Sequence, residues 1–530
     1  MKRLVLLFWV AALAMALSCN KEQAQNNDTP ADEGERPIPA TLDLHAGDTY
    51  PFVPKVEAGI PCYWSSKDEA VATIDENGVV TAKGNGTATI VLAVIDGGIL
   101  KSWECVVHVS TPVTGISLDI TSKDLTMGQS FTLTATVEPP TASNKKLVWT
   151  SSSPDLVSIS VRQGVCTVNA MGGISNAKIT VKTEDGSFSD KCTVNVKGAS
   201  RPYEASKETS NCYVIFQPGT YILDLVQGNS SDPVTGVKKA DVLWETFGTD
   251  EDITAGTLVT DYFYSECLNK IIFTIPSPIK SGNALIAAKS ASGTTLWSWH
   301  LWICNGYRPD QYTQTYKDGT VMMDRNLGAT GKTGTKGEDH GLLYQWGRKD
   351  PFPGFSTGSN EVKVTYPAGP MRTGANRNLD YSIAWPKEFI CGGVDSDFDW
   401  LASSNRTLWT SAKTKYDPCP PGWRVPTGGA NGVWKQSAGE SDFYVSCDTE
   451  ANLKGKFVSG LTDIYYPLTR GFFYDYKPTT DTYYWSCTYA EDHESYCLWI
   501  QRNISGDVNN IHTLKTVSRA YGCAVRCCKK

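Results

Sequence analysis

Sixteen cysteines, six histidines and one run of alternating carboxylates are what this 530-residue chain offers as chemistry. Thiols in that number become disulfides in an oxidising compartment and hint at bound metal in a reducing one. The histidines stand at 45, 108, 300, 340, 493 and 512, and none has a companion at metal-ligand spacing. No His-Glu-x-x-His, Cys-x-x-Cys or Gly-x-x-x-x-Gly-Lys-Ser/Thr string occurs. A nucleophile needs an activating base and an orienting partner. No such set is visible, so the chain is read as a non-enzyme with no catalytic residue and no cofactor. Carboxylate pairs for glycoside hydrolysis can lie far apart in sequence, which keeps a polysaccharide-active enzyme as a second alternative. Asp395-Ser396-Asp397-Phe398-Asp399 alternates carboxylates as a calcium loop does, without the glycine and distal glutamate of EF-hand spacing. No metal is expected. Asp395, Asp397 and Asp399 are the candidates to test, against the competing reading of a solvated acidic loop.

The compartment decides what the thiols do. Lys2 and Arg3 precede an uncharged apolar run over residues 4–17. A membrane-spanning helix needs about 20 residues, so the run is a secretory signal segment. Ala16-Leu17-Ser18-Cys19 resembles a bacterial lipobox, with Ala16 where leucine is usual. The resemblance implies a signal peptide over 1–18, lipidation of Cys19, and attachment to the outer membrane or cell surface through the lipid. Residues 19–36 are polar and acidic and read as a flexible tether. The chain carries 49 basic against 56 acidic residues, a net charge of −7. That balance removes the basic footprint of a nucleic-acid partner.

Stepping along the chain, the clearest internal signal is a repeat. Trp64-Ser65-Ser66 leads into Ala70-Val71-Ala72-Thr73-Ile74, Asn77-Gly78 and Val79-Val80-Thr81-Ala82-Lys83-Gly84. A similar passage opens at Trp149-Thr150-Ser151-Ser152 and runs through Leu156-Val157-Ser158-Ile159 and Gly164-Val165-Cys166-Thr167-Val168. Short β-branched runs alternating with period two and broken at glycine are strands joined by hairpins, and several in series make an antiparallel sandwich. These strings resemble the bacterial Ig-like group 2 family, the first copy closely and the second with Arg162-Gln163-Gly164 at its turn. The resemblance implies two extracellular sandwiches, 37–111 and 112–198, used as spacers or in adhesion. Each has two cysteines, from which local bridges Cys62–Cys105 and Cys166–Cys192 are expected.

Residues 199–306 change in texture and read as a third sandwich. Leu296-Trp297-Ser298-Trp299-His300-Leu301-Trp302 puts Trp297 and Trp299 on one strand face and Trp302 on the other. The Trp pair fits either a sugar-stacking surface or burial at a domain junction, and His300 is expected to be structural or exposed.

Residues 307–530 hold four distinctive strings. They are Met322-Met323-Asp324-Arg325-Asn326-Leu327-Gly328-Ala329, then Gly341-Leu342-Leu343-Tyr344-Gln345-Trp346-Gly347-Arg348-Lys349-Asp350-Pro351-Phe352, then Asp417-Pro418-Cys419-Pro420-Pro421-Gly422-Trp423-Arg424, and finally Arg519-Ala520-Tyr521-Gly522-Cys523-Ala524-Val525-Arg526-Cys527. They read as short strands and turns, with one helix over 341–347. As a set they resemble the Fibrobacter succinogenes major paralogous domain family, which is similar to C-type-lectin-like folds. The resemblance implies that first and last strands lie together, hence a Cys419–Cys527 bridge, with Cys497–Cys523 as a second pairing. The Glu-Pro-Asn, Gln-Pro-Asp and Trp-Asn-Asp strings of the calcium-dependent sugar site are absent, so that mechanism does not transfer. Formylglycine-generating enzymes share the lectin-like fold, but none of their own motifs is present. The expected fold class is multidomain and mainly β, with Ig-like β-sandwiches in series before an irregular α+β C-type-lectin-like domain. The expected function is adhesion, or recognition of glycans or host surface or matrix proteins, by the C-terminal module of a lipid-anchored surface protein. The alternative is a tip or accessory subunit that docks with fimbrial subunits.

Overall fold

Alternation along the strands translates directly into burial. The strand Gly86–Asp96 sends Ala88, Ile90, Leu92 and Val94 inward, while Thr89 and Val91 stay half-exposed. The computed structural model in which this is seen describes residues 36–184, 186–200, 208–332, 337–354, 362–365, 372–373, 376–393, 398–437, 443–448, 452–459, 462–491, 493–502 and 508–530. The signal peptide, Cys19, Asp395 and Asp397 lie outside the described residues. The chain is mainly β, with Ig-like domains in series, and folds as two compact units. The first holds most of residues 36–195 and the second chiefly Val196–Lys530.

In the first unit, Gly86–Asp96 pairs with both Ile99–Ser110 and Cys62–Ser66, and Thr41–His45 runs parallel beside Ile99–Ser110. A second sheet of Thr49–Pro51, Val79–Ala82 and Ala72–Ile74 belongs to the same sandwich. Phe52 stacks on Trp64 in the core at 5.3 Å between ring centroids. The hairpin after Ile74 needs its glycine. Gly78 has φ +81°, and a Cβ there would stand 2.9 Å from the Trp64 ring. The Asp75 carboxylate accepts the N–H groups of Asn77 and Val79 and fixes the turn.

The expected Cys62–Cys105 bridge does not form, and both thiols are free. Cys62 faces Val94 and Cys105 faces Ile90 on opposite sides of the one strand Gly86–Asp96. Two strand spacings are roughly 10 Å, beyond the roughly 4.4–6.8 Å between Cα atoms that a disulfide spans. Cys166 and Cys192 are likewise free and buried. They sit on different sheets, Cys166 on Val165–Ala170 beside Ser130–Leu133, and Cys192 on Ser189–Lys197. Each thiol packs as a small apolar side chain instead.

The second unit is organised by one sheet buried on both faces, ordered Cys212–Ile215, Thr295–Ile303, Gly282–Lys289, Lys239–Thr246. Tyr213, Ile215, Ala284, Ile286, Trp297, Trp299 and Leu301 pack with the sheet of Gly219–Asp224, Lys270–Ile275 and Thr260–Ser265. The alternate residues Cys212, Val214, Leu285 and Trp302 enter another core with Trp346, Trp400, Trp409, Trp423 and Trp485. Residues from 199–306 and from 307–530 thus share one hydrophobic interior.

The rest of this unit is built on a six-stranded sheet ordered Phe352–Pro353, Leu342–Tyr344, Cys523–Ala524, Thr482–Tyr489, Glu494–Arg502, Val508–Ser518. A four-stranded sheet brings Val321–Met323, Cys528–Lys529 and Trp423–Arg424 side by side. The helix expected over 341–347 is instead the strand Leu342–Tyr344, paired with Phe352–Pro353 and Cys523–Ala524. Gly341 and Gly347 both have positive φ and cut the run to three extended residues. Among the described residues the α-helices are α1 (Leu379–Ala384) and α2 (Val433–Ser437). No helix among them is long and apolar enough to cross a membrane.

Candidate functional site

The string Trp346-Gly347-Arg348-Lys349-Asp350 acts as a clamp. Gly347 has φ +86°, and a Cβ there would meet Leu408 at 2.7 Å. The turn aims Arg348 into the interior, where Nη1 donates to the Gln345 amide oxygen at 2.9 Å and to the Glu388 carbonyl at 2.8 Å. Nη2 reaches the carbonyls of Ser382 and Pro386 at 3.4 and 3.5 Å. Burial pulls the Arg348 guanidinium down to about 10, against the opposing charges of Asp350 and Glu388, so it stays charged at neutral pH. One buried cation therefore gathers the carbonyls of the loop 382–388.

That loop follows α1, which Asn378 caps by accepting the Tyr381 N–H at 2.8 Å. The Trp385 N–H closes the helix on the Tyr381 carbonyl at 2.9 Å, and the Glu388 carboxylate accepts the Tyr381 hydroxyl at 2.6 Å. The Trp385 side chain is left at the surface, 54% exposed. It overlooks a cleft of about 370 Å³ whose lining includes Asp241, Lys289, Ser292, Thr294, Lys387 and Glu388. Lys289 pairs with Asp241. The Ser292 hydroxyl lies 2.8 Å from Ser290 and 3.3 Å from Thr294, forming a short chain of hydroxyls along the hairpin.

The residues singled out from sequence take other places. Trp297, Trp299 and Trp302 are buried, the first two in one core and the third in the other, which is the junction reading rather than a sugar-stacking surface. Trp297 Nε1 donates to Asn211 at 3.1 Å and Trp302 Nε1 to the Ala329 carbonyl at 3.0 Å. Asp399 accepts from Arg519 Nη2 at 2.6 Å with both side chains buried, so its carboxylate is committed to an internal ion pair. Among the described residues no group of three metal-ligating side chains exists. Cys419 and Cys527 are joined as a disulfide across 108 residues. Cys497 and Cys523 are free, because Thr482–Tyr489 runs between their strands. Trp385 was missed, and nothing local distinguishes it among the sixteen tryptophans.

His300 is buried, with Nε2 2.9 Å from the Asn283 side-chain oxygen. Burial drives its pKa down to about 3, so the folded protein holds it neutral. The unfolded chain takes up that proton near 6.5. The contribution is full above that value and declines as pH falls towards 3, on the order of 4 kcal/mol in all. Replacing His300 with glutamine should therefore flatten the loss of stability between pH 6 and 4. Urea midpoints measured across that range check this, and parallel curves for both proteins would refute it.

Comparison with known proteins bears on the first unit. Residues 112–194 match the family described as Bacterial Ig-like domain (group 2), and residues 55–95 match the intimin immunoglobulin-like domain. The chain carries bacterial Ig-like domains. The group 2 match falls on the second copy of the repeat, despite its altered turn. Both families are Ig-like rather than catalytic. An Ig-like virion protein of Serratia phage KSP90 is 39% identical over 135 residues, which is 25% of this chain and 51% of that protein. An uncharacterized protein of Clostridium acetobutylicum is 34% identical over 123 residues, 23% of this chain and 12% of that one. The chain thus spans about half the length of the first relative and much less of the second. Among solved structures, domains 4 and 5 of the S-layer protein SbsC are 23% identical, covering 26% of this chain and 78% of theirs, at a TM-score of 0.16. The N-terminal eight Ig domains of the Down syndrome cell adhesion molecule are 12% identical, covering 53% and 43%, at a TM-score of 0.23.

Proposed function

We propose that this is a lipid-anchored bacterial surface protein, held at the outer membrane through Cys19. Its bacterial Ig-like domains serve as spacers, and its second unit recognises glycans or host surface proteins by adhesion-type binding. The observation that carries the reading is the exposed Trp385 over a cleft, set on a loop fixed from inside by a buried arginine. An exposed indole on a rigid support offers a flat, amphipathic contact face for a ligand. The lipobox-like string and the resemblance of 307–530 to the Fibrobacter major paralogous family support the same reading. The test uses the chain from residue 20 onward, immobilised and probed with a glycan array and a panel of host matrix proteins. Saturable binding to a member of either set is the expected result. No binding to any member would remove the reading.

A further inference from the structure

We infer that the cleft under Trp385 is a subsite for an uncharged pyranose ring of a glycan, an assignment that rests on the surface-recognition reading above. Three features converge. The indole is more than half exposed while the backbone around it is bonded at residues 381, 382, 385, 386 and 388. The backbone that carries it therefore needs little further ordering on binding. A pyranose presents one face of C–H groups, slightly positive, which suits the negative face of an indole. It also presents hydroxyls around its edge, each needing a donor or an acceptor.

The cleft supplies both kinds beside the ring. Asp241 is an acceptor, Lys289 a donor, and the hydroxyls of Ser292 and Thr294 serve as either. Its formal charges balance, with Lys289 and Lys387 against Asp241 and Glu388. That balance argues against a phosphate or a carboxylate ligand, which would call for a surplus of cations. It argues equally against a cationic one. The volume of about 370 Å³ lies at the small end of ligand pockets, which run from roughly 300 to 1,000 Å³.

The test is calorimetric titration of the chain from residue 20 onward with neutral oligosaccharides chosen from the array. It is repeated for Trp385→Ala, Trp385→Phe and Ser292→Ala, with thermal unfolding of each variant as a check. Trp385→Ala should weaken binding by about tenfold or more, and Trp385→Phe by less, since it retains a smaller ring. Melting should not move, because the side chain is at the surface. Wild-type binding to a neutral glycan that Trp385→Ala leaves unchanged would overturn the subsite and leave the surface-recognition reading standing. Binding only to charged glycans or to matrix proteins would do the same. Failure of the wild-type chain to bind anything would remove both.

Discussion

Replacing Cys419 and Cys527 together with alanine is expected to lower the stability of the second unit by roughly 4–5 kcal/mol. The bond closes a loop of 108 residues, and the entropy that such a link removes from the unfolded chain grows with loop length. Both residues lie in the core shared with Trp302 and Trp485. The folded geometry around Cys419 has other supports. Its N–H donates to Asp417 at 2.8 Å, and its carbonyl accepts from Ser210 at 2.6 Å and from Lys413 at 2.9 Å. The loss should therefore come from the unfolded state, with the native fold retained. Guanidinium unfolding of the double variant in the absence of reductant should match that of the wild type in dithiothreitol. Coincident non-reducing curves for variant and wild type would refute the expectation.

The second large effect is expected at Asp350. Its Oδ1 accepts from the Ser298 hydroxyl and from Lys349 Nζ, each at 2.6 Å, while Lys349 also donates to the Ser298 hydroxyl at 2.7 Å and its carbonyl at 3.0 Å. All three side chains are buried. Asp350→Ala leaves an ammonium in the interior with its counter-charge gone, which costs about 3–5 kcal/mol. The double variant Lys349→Met with Asp350→Leu should lose much less, because it removes the charges together. Burial already holds Lys349 below its usual range, with Asp350 acting to raise it. Without Asp350 the lysine falls further. A base depressed in the fold contributes fully above its unfolded pKa and loses that contribution as pH falls. The deficit of Asp350→Ala should therefore shrink as pH rises towards 10. Unfolding midpoints at pH 7 and 9.5 would show this. A deficit that grows with pH would contradict it.

What the sequence revealed depended on whether the signal was local. The tandem sandwiches were readable because strand alternation and the Asn77-Gly78 turn are short-range features. The opposite facing of Trp302 to Trp297 and Trp299 followed from period two alone. The pairing of Cys62 with Cys105 failed because cysteine count says nothing of sheet order, and these two flank the same strand. The strand Leu342–Tyr344 was taken for a helix because a short apolar run between glycines has no period of its own. Reading 199–306 and 307–530 as separate segments gave no hint that they share an interior. Cys212, Val214 and Trp302 look like ordinary strand residues until the second face of their sheet is seen covered. The site was hidden for a similar reason. The exposure of Trp385 is set by Arg348, 37 positions earlier, through bonds to backbone carbonyls that carry no side-chain signature.

The threading of the sandwiches has a mechanical consequence. In the first, Thr41–His45 lies parallel to Ile99–Ser110. The strand that begins this domain thus runs in the same sense as its neighbour that ends it. Tension applied to the two ends slides these strands lengthwise past one another. The registered pairs from Thr41 to His45 then share the load and yield together. A hairpin pulled open from its free end would instead lose its bonds one at a time. Forced unfolding is governed by the rate of crossing the unfolding barrier, and shared loading raises that barrier. A domain threaded in this way keeps its length under drag.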